Sequence, residues 1–150
     1  MKTLAIDYGT RRVGLAISDD GGTFVFPLDV VLVSKPEQAR DEVLRVIKSE
    51  GVQRIVIGLP LNMDGTIGAQ AKLTMQWGND LSIVSMLPVI FVDERLSSFS
   101  AEQGLIDRQR GGEKMTRKKK KSILDAHAAA GFLREFLDGK LQAINHPASE

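Results

Sequence analysis

The spacing of hydrophobic positions changes several times along this chain, and each change marks an element. Residues 4–7 (Leu-Ala-Ile-Asp) and 13–18 (Val-Gly-Leu-Ala-Ile-Ser) are short apolar runs separated by Gly9 and two arginines, the pattern of two strands joined by a tight turn. Asp19, Asp20, Gly21 and Gly22 make a second turn signal. A third apolar run follows at residues 25–33, with Pro27 pointing to a sheet edge. Three such strands with short connections predict an antiparallel meander. The period then becomes helical. Ser34, Lys35, Pro36 and Glu37 have the form of a capping box with proline in the first turn; Ala39, Val43, Val46 and Ile47 follow at helical spacing, and Gly51 ends the helix.

Residues 54–58 (Arg-Ile-Val-Ile-Gly) read as a central strand, and residues 59–65 as a loop with the Asp64-Gly65 turn pair. A second helix is expected from near Gly68, with Leu73, Trp77 and Leu81 on one face and Gly78 unfavourable within it. Residues 88–92 form another compact strand, closed by Asp93, Glu94 and Arg95. A short helix around 98–106 and a last one from Ile123 to about Leu137 complete the pattern. Residues 1–138 are expected to form one domain, and residues 139–150 a frayed tail. Strand–helix–strand units imply right-handed parallel crossovers, so the fold class is α/β: a mixed sheet, antiparallel then parallel, flanked by helices. In such sheets sites gather at the carboxyl ends of parallel strands, here Gly58-Leu59-Pro60 and Asp93-Glu94.

Composition narrows the class. A chain of 150 residues can bury about two-thirds of its unfolded surface without staples. It has no cysteine, so disulfides and thiolate metal sites are excluded. The longest uncharged run, residues 81–92, contains Pro88 and is far shorter than the roughly 18 residues of a membrane span. Asp7 arrives too soon for a signal-peptide core, and a soluble cytoplasmic protein without a membrane partner is expected. The net charge of +1 hides an asymmetry: residues 108–121 carry +7, leaving −6 for the remainder. Such segregation points to a polyanionic partner, nucleic acid above all.

Three acids then stand out. Asp7 ends a buried strand, where an ionised carboxylate costs several kcal/mol or more unless paired or metal-bound; a turn cap at the strand end is the plainer reading. Glu94 emerges from the strand at 88–92, where pairing with Arg95 or solvation would also account for it. Asp125 completes the capping pattern Ser122-x-x-Asp125, yet it also shares a helix face with Ala129, Phe132 and Phe136, with Ala128 and Ala129 leaving space beside it. Converging on one sheet edge, the three would make an oxygen-rich site suited to Mg²⁺ or Mn²⁺. Two such ions about 4 Å apart activate water and stabilise the leaving oxygen in phosphodiester hydrolysis. The basic segment fits that chemistry: Lys114, Arg117, Lys118, Lys119, Lys120 and Lys121 would bind phosphates beside Asp125, although a charge run is also what a solvated face looks like. His127 and His146 lack ligand spacing, and Trp77 reads as core.

These residues resemble a known family. Asp7, Gly9, Arg12 and Gly14 form a D-x-G-x-x-R-x-G pattern similar to the first motif of the YqgF (RuvX) family of ribonuclease H-like proteins. The stretches Val56-Ile57-Gly58-Leu59-Pro60-Leu61-Asn62-Met63-Asp64-Gly65 and Asp93-Glu94-Arg95-Leu96-Ser97, and the helix carrying Asp125, Ala128 and Ala129, are similar as well. The resemblance implies a ribonuclease H-like fold. It also implies a nuclease trimming the 5′ end of precursor 16S rRNA, with ribosomal particles as partners; similarity to RuvC adds branched DNA. It makes Asp7, Glu94 and Asp125 the catalytic and metal-binding acids; Arg12, Asn62, Arg95 and the basic segment are then the expected contacts to nucleic acid. One departure matters: the strand ending at Gly58 carries no acid, so Glu94 must substitute from its neighbour, with Asp93 as competitor. A monomer or weak dimer, holding one or two metal ions, is compatible with these residues. A non-catalytic rRNA-binding assembly factor is the competing class, separated by titrating metal against binding and cleavage. An actin-like ATPase also opens with Asp-x-Gly on a strand, but needs two related domains where this length supplies one.

Overall fold

The computed structural model describes residues 1–9, 11–32, 34–96 and 117–144, excepting the side chains of residues 29, 30, 96 and 117–125. In chain order the elements are β1 (Thr3–Tyr8), β2 (Arg12–Ser18), β3 (Val25–Leu32), α1 (Pro36–Glu50), β4 (Arg54–Leu59), α2 (Ala69–Ser85), β5 (Val89–Asp93), a 3₁₀ turn (Glu94–Leu96) and α3 (Arg117–Leu137). Among the described residues, one sheet contains the five strands in the order β3-β2-β1-β4-β5. The meander β1-β2-β3 is antiparallel, and β4 joins β1 and β5 in parallel. As expected, Pro27 lies on an edge strand, the place in a sheet where proline is tolerated, opposite Ala16 and next to a register shift between Leu15 and Ala16.

Alternation along the strands sorts the core into two layers. Leu4, Ile6, Leu15, Ile55 and Ile57 face Ala39 and Val43 of α1 and Met75, Trp77 and Leu81 of α2. The other face is built from smaller residues, Ala5, Ala16 and Val56, against which Ala129, Ala130, Phe132 and Leu133 of α3 pack. Arg134 ties the far end of α3 to the β2–β3 turn by donating to the carbonyls of Thr23 (2.6 Å) and Gly22 (3.2 Å). That turn lies at the edge where β1 begins, so α3 runs antiparallel to β1 and its first turns lie toward the edge where β1 ends.

Several local expectations are corrected. Pro36 at N1 makes Lys35 the extended N-cap of α1, without a side-chain cap bond. Ser34 therefore sits one position outside the helix, and its backbone N–H and hydroxyl donate to Gln38 (3.2 and 2.8 Å) instead of boxing with Glu37. Leu73 is 53% exposed because the buried stripe of α2 runs through Ala71, Thr74, Met75, Gly78 and Leu81. Helix α3 begins at Arg117 rather than near Ile123, since the lysines are good helix formers and extend it outward. The tail does not fray at once: Leu141 is buried, Ala143 bridges Val92, and the Ile144 N–H donates to the Phe91 carbonyl at 2.7 Å, covering part of the β5 edge. The helix expected around 98–106 lies outside the described residues.

Gly78, poor as a helix former, is explained by packing. A Cβ there would lie 2.8 Å from both Ile57 Cδ1 and Phe91 Cε1, so α2 rests directly on the sheet. Gly78→Ala is expected to lower stability by about 1–3 kcal/mol through overpacking, against a gain of up to about 1 kcal/mol in helix propensity. Thermal unfolding checks the sign; a raised Tm would mean that the two side chains yield freely.

Candidate active site

The site begins with register. Asp7, near the end of β1, pairs with Gly14 of β2. On its other side the β1–β4 register brings it level with Gly58, one step beyond the Ile6–Ile57 pair. Alternation puts Asp7 on the α3 face with Ala5. The carboxylate thus lies in a lane between two residues without side chains. The turn behind it is closed by the Gly9 N–H donating to the Arg12 carbonyl at 2.9 Å; a Cβ on Gly9 would approach that oxygen to 2.8 Å.

Glu94 fills the lane from the opposite direction. It leaves the end of β5, crosses over β4 and hydrogen-bonds Asp7. Gly58 makes the crossing possible: a Cβ there would meet Glu94 Oε2 at 2.9 Å, Glu94 Cβ at 3.2 Å and Phe132 Cε2 at 3.0 Å. Burial pushes the Glu94 carboxyl above the usual carboxylate range; the bond with Asp7 opposes that shift, and the charge of Asp93 adds to it. A hydrogen bond between two carboxyl groups requires a proton, which the Asp7–Glu94 pair shares. Hard divalent cations take two such converging oxygen donors in place of a shared proton, so the donor set fits Mg²⁺ or Mn²⁺.

Asp93, the competing acid, is engaged elsewhere. Alternation along β5 places it on the other face with Phe91, where it accepts two bonds from Arg95 Nε (3.0 and 3.3 Å), one from Nη2 (2.7 Å) and one from the Arg95 backbone N–H (3.0 Å). The same guanidinium holds the Asp93 carboxyl below its ordinary range. Arg95 Nη1 donates to the carbonyls of Asn62 (2.7 Å) and Met63 (3.0 Å), so each guanidinium nitrogen has a partner inside the protein. The loop it reaches is compact. Asn62 Nδ2 donates to Thr66 Oγ1 (3.0 Å), Thr66 donates to Asp64, and Met63 stands 98% exposed at the tip. Asn62 also packs over Gly68, where a Cβ would come within 2.9 Å of its Oδ1.

Arg12 opens β2 on the α3 face, two residues before the partner of Asp7. Its Nη1 is buried and has no hydrogen-bond partner among the described residues, a donor placed where an anion could use it. Asp125 is the ninth residue of α3, in its third turn. It therefore does not cap the helix, because the backbone N–H groups it would have capped already lie inside a formed helix. Its side chain lies outside the described ones, as do those of Arg117, Lys118, Lys119, Lys120 and Lys121 on the preceding turns; Lys114 falls wholly outside. Among the described residues, two acids meet and no cluster of three or more potential metal ligands occurs. Nor is any helix among them long and apolar enough to cross a membrane.

Sequence reasoning treated Gly58 as a deficiency, a strand end without an acid. In the fold it is the space through which the acid from the next strand arrives. Its signal was present only as a glycine in an otherwise β-branched strand, the mark of a close approach by something else.

Solved structures share this architecture. Thermus thermophilus RuvC aligns with a TM-score of 0.60 at 17% identity, covering 96% of this chain and 100% of that one. The fowlpox virus resolvase in complex with Holliday junction DNA aligns at 0.54 and 12% identity, covering 93% and 98%. At these identities the likeness establishes the fold, which is ribonuclease H-like. Relatives in Bacillus thuringiensis (strain Al Hakam) and Bacillus anthracis (strain CDC 684 / NRRL 3495) are 37% identical over 142 residues, 93% of this chain and 100% of theirs. Their name, pre-16S rRNA nuclease, is itself provisional. The sequence profile of the RuvX family, described as Holliday junction resolvase, matches residues 1–139. With the profile spanning both acids, the glycines between them and all of α3, the chain belongs to the RuvX (YqgF) family.

Proposed function

We propose that this protein is a metal-dependent endonuclease that hydrolyses phosphodiester bonds in structured RNA, with the 5′ end of precursor 16S rRNA as its substrate. The single observation that carries this reading is Glu94 crossing Gly58 to reach Asp7. Two half-buried carboxyl groups, one near the end of β1 and one in the turn after β5, meet at the carboxyl edge of the sheet, an arrangement that costs stability unless it is used. The 37% identical relatives and their name support the substrate; the family description supports a DNA junction as the second reading. The expected setting is the cytoplasm, among ribosomal particles.

In this reading Asp7 and Glu94 hold Mg²⁺ or Mn²⁺ with Asp125 from α3. When bound, the cation supplies an activated water and neutralises charge on the leaving oxygen, in the two-ion form if a second ion enters. Arg12, through the Nη1 that has no partner among the described residues, orients the phosphate. Asn62 shapes the border of the cleft, and the lysines on the first turns of α3, with Lys114 and Arg117, hold the backbone of the strand. A cleavage assay on precursor rRNA and a four-way DNA junction, with Mg²⁺ and Mn²⁺, decides between substrates. Metal-independent binding without cleavage of either would leave an rRNA-binding assembly factor instead.

The lysines make a separate prediction. Replacing Lys118, Lys119, Lys120 and Lys121 by glutamine is expected to weaken RNA binding irrespective of sequence. It should also flatten the log–log salt dependence by roughly 0.7 per lost single-strand phosphate contact. Titrations between low and moderate salt measure the slope; an unchanged slope assigns these lysines to solubility alone.

A further inference from the structure

Two stretches that identify the chain, residues 56–65 and 93–97, are joined by one side chain. Arg95 was expected to contact nucleic acid, yet its Nε and Nη2 grip the carboxylate of Asp93 while Nη1 holds two carbonyls of the loop that follows β4. A planar guanidinium can make this three-way contact; an ammonium cannot. The Asp93 carboxylate also accepts the Arg95 backbone N–H, closing the chain tightly around the residue between them, Glu94. The bond network therefore has three ends: the β4–α2 loop, the turn after β5, and the acid that crosses Gly58 toward Asp7.

We propose that Arg95 is a positioning residue. It braces the β4–α2 loop against the Glu94 turn and, with Asp93, fixes the direction in which Glu94 leaves β5. This inference rests on the reading of Asp7 and Glu94 as the catalytic pair and names what aims the second of them. The loop has the hydrogen bonds of a rigid part: Asn62 N–H to the Thr66 carbonyl (2.9 Å) and Gly65 N–H to the Asn62 carbonyl (2.8 Å), with Arg95 on that same Asn62 carbonyl. Without Arg95 the loop keeps its internal turn but loses its tie to β5, and Glu94 loses one side of its support.

Salt dependence separates positioning from phosphate contact. Arg95→Lys and Arg95→Ala are compared with the wild-type protein in RNA binding over a range of salt, in kcat and KM for cleavage, and in amide exchange at Gly65 and Thr66. A brace predicts an unchanged salt slope and KM, a kcat reduced by about 10–100-fold as for other supports of metal-ligating side chains, and faster exchange in the loop. Lysine should rescue little. Asp93→Asn should reproduce the kcat loss, and the double variant should lose no more than either single one. A slope reduced by roughly 0.7, with KM raised and exchange unchanged, would overturn the proposal and make Arg95 a phosphate ligand. Should the wild-type protein cleave nothing, the nuclease reading fails on its own, while the exchange rates and the Asp93–Arg95 coupling still report whether the brace exists.

Discussion

Asp7→Asn is expected to abolish cleavage, by a thousandfold or more, while leaving the fold intact. The scale follows from what the side chain does in the proposed site: losing even an outer partner of a metal ligand costs about 10–100-fold, and here a ligand itself is neutralised. Stability should not suffer. Asparagine keeps the shape, retains a hydrogen-bonding partner for Glu94, and removes one ionisable group from a pair of carboxyls in close contact. Circular dichroism and thermal unfolding should match the wild-type protein, with Tm equal or slightly higher, and binding of Mn²⁺ at the site should be lost. Undiminished turnover in this variant would remove the metal role from Asp7 and the central element from the proposed mechanism.

The second large effect is expected at a residue with no functional atoms. Gly58→Ala places a methyl group 2.9 Å from Glu94 Oε2 and 3.0 Å from the Phe132 ring. Phe132 is buried in the core beneath α3, so the freer neighbour, Glu94, gives way. Displacing a catalytic group by about 1 Å can cost on the order of a hundredfold in rate, and the strain should cost about 1–3 kcal/mol in stability. The two consequences separate in a cycle. In a Glu94→Ala background the added methyl group meets less obstruction, so Gly58→Ala should destabilise much less there, while activity stays low. An equal loss of stability in both backgrounds would place the conflict at Phe132 and detach Gly58 from Glu94.

Much of this molecule was legible along the chain because its signals are local. The meander and the α1 and α2 crossovers follow from the change of period at Pro36, the stop at Gly51 and the β-branched run of β4. Pro27 announced an edge strand correctly. Where local reading went astray, a competing local signal was stronger. Ser122 followed by Asp125 looks like a helix start, but the lysines before it already favour helix, so α3 is longer and Asp125 lies within it. Leu73 has the right chemistry for a core and the wrong angle. Leu141 and Ala143 follow a helix end and a glycine, yet dock because the β5 edge has backbone groups to satisfy.

By itself, the sequence determined the order and type of the elements, the strand-end position of Asp7, the choice of acids worth testing and the segregation of positive charge, since each depends on residues within a turn or two. Only the tertiary structure decided which acid reaches Asp7. Glu94 and Asp93 are neighbours in the chain, but the end of β5 and the 3₁₀ turn that follows it send them to opposite faces. One crosses a glycine of the preceding strand, β4, while the other is bound by Arg95 to a loop some thirty residues earlier. Adjacency along a chain says nothing of this, because direction in a sheet is set by register and by the space that neighbouring strands leave open.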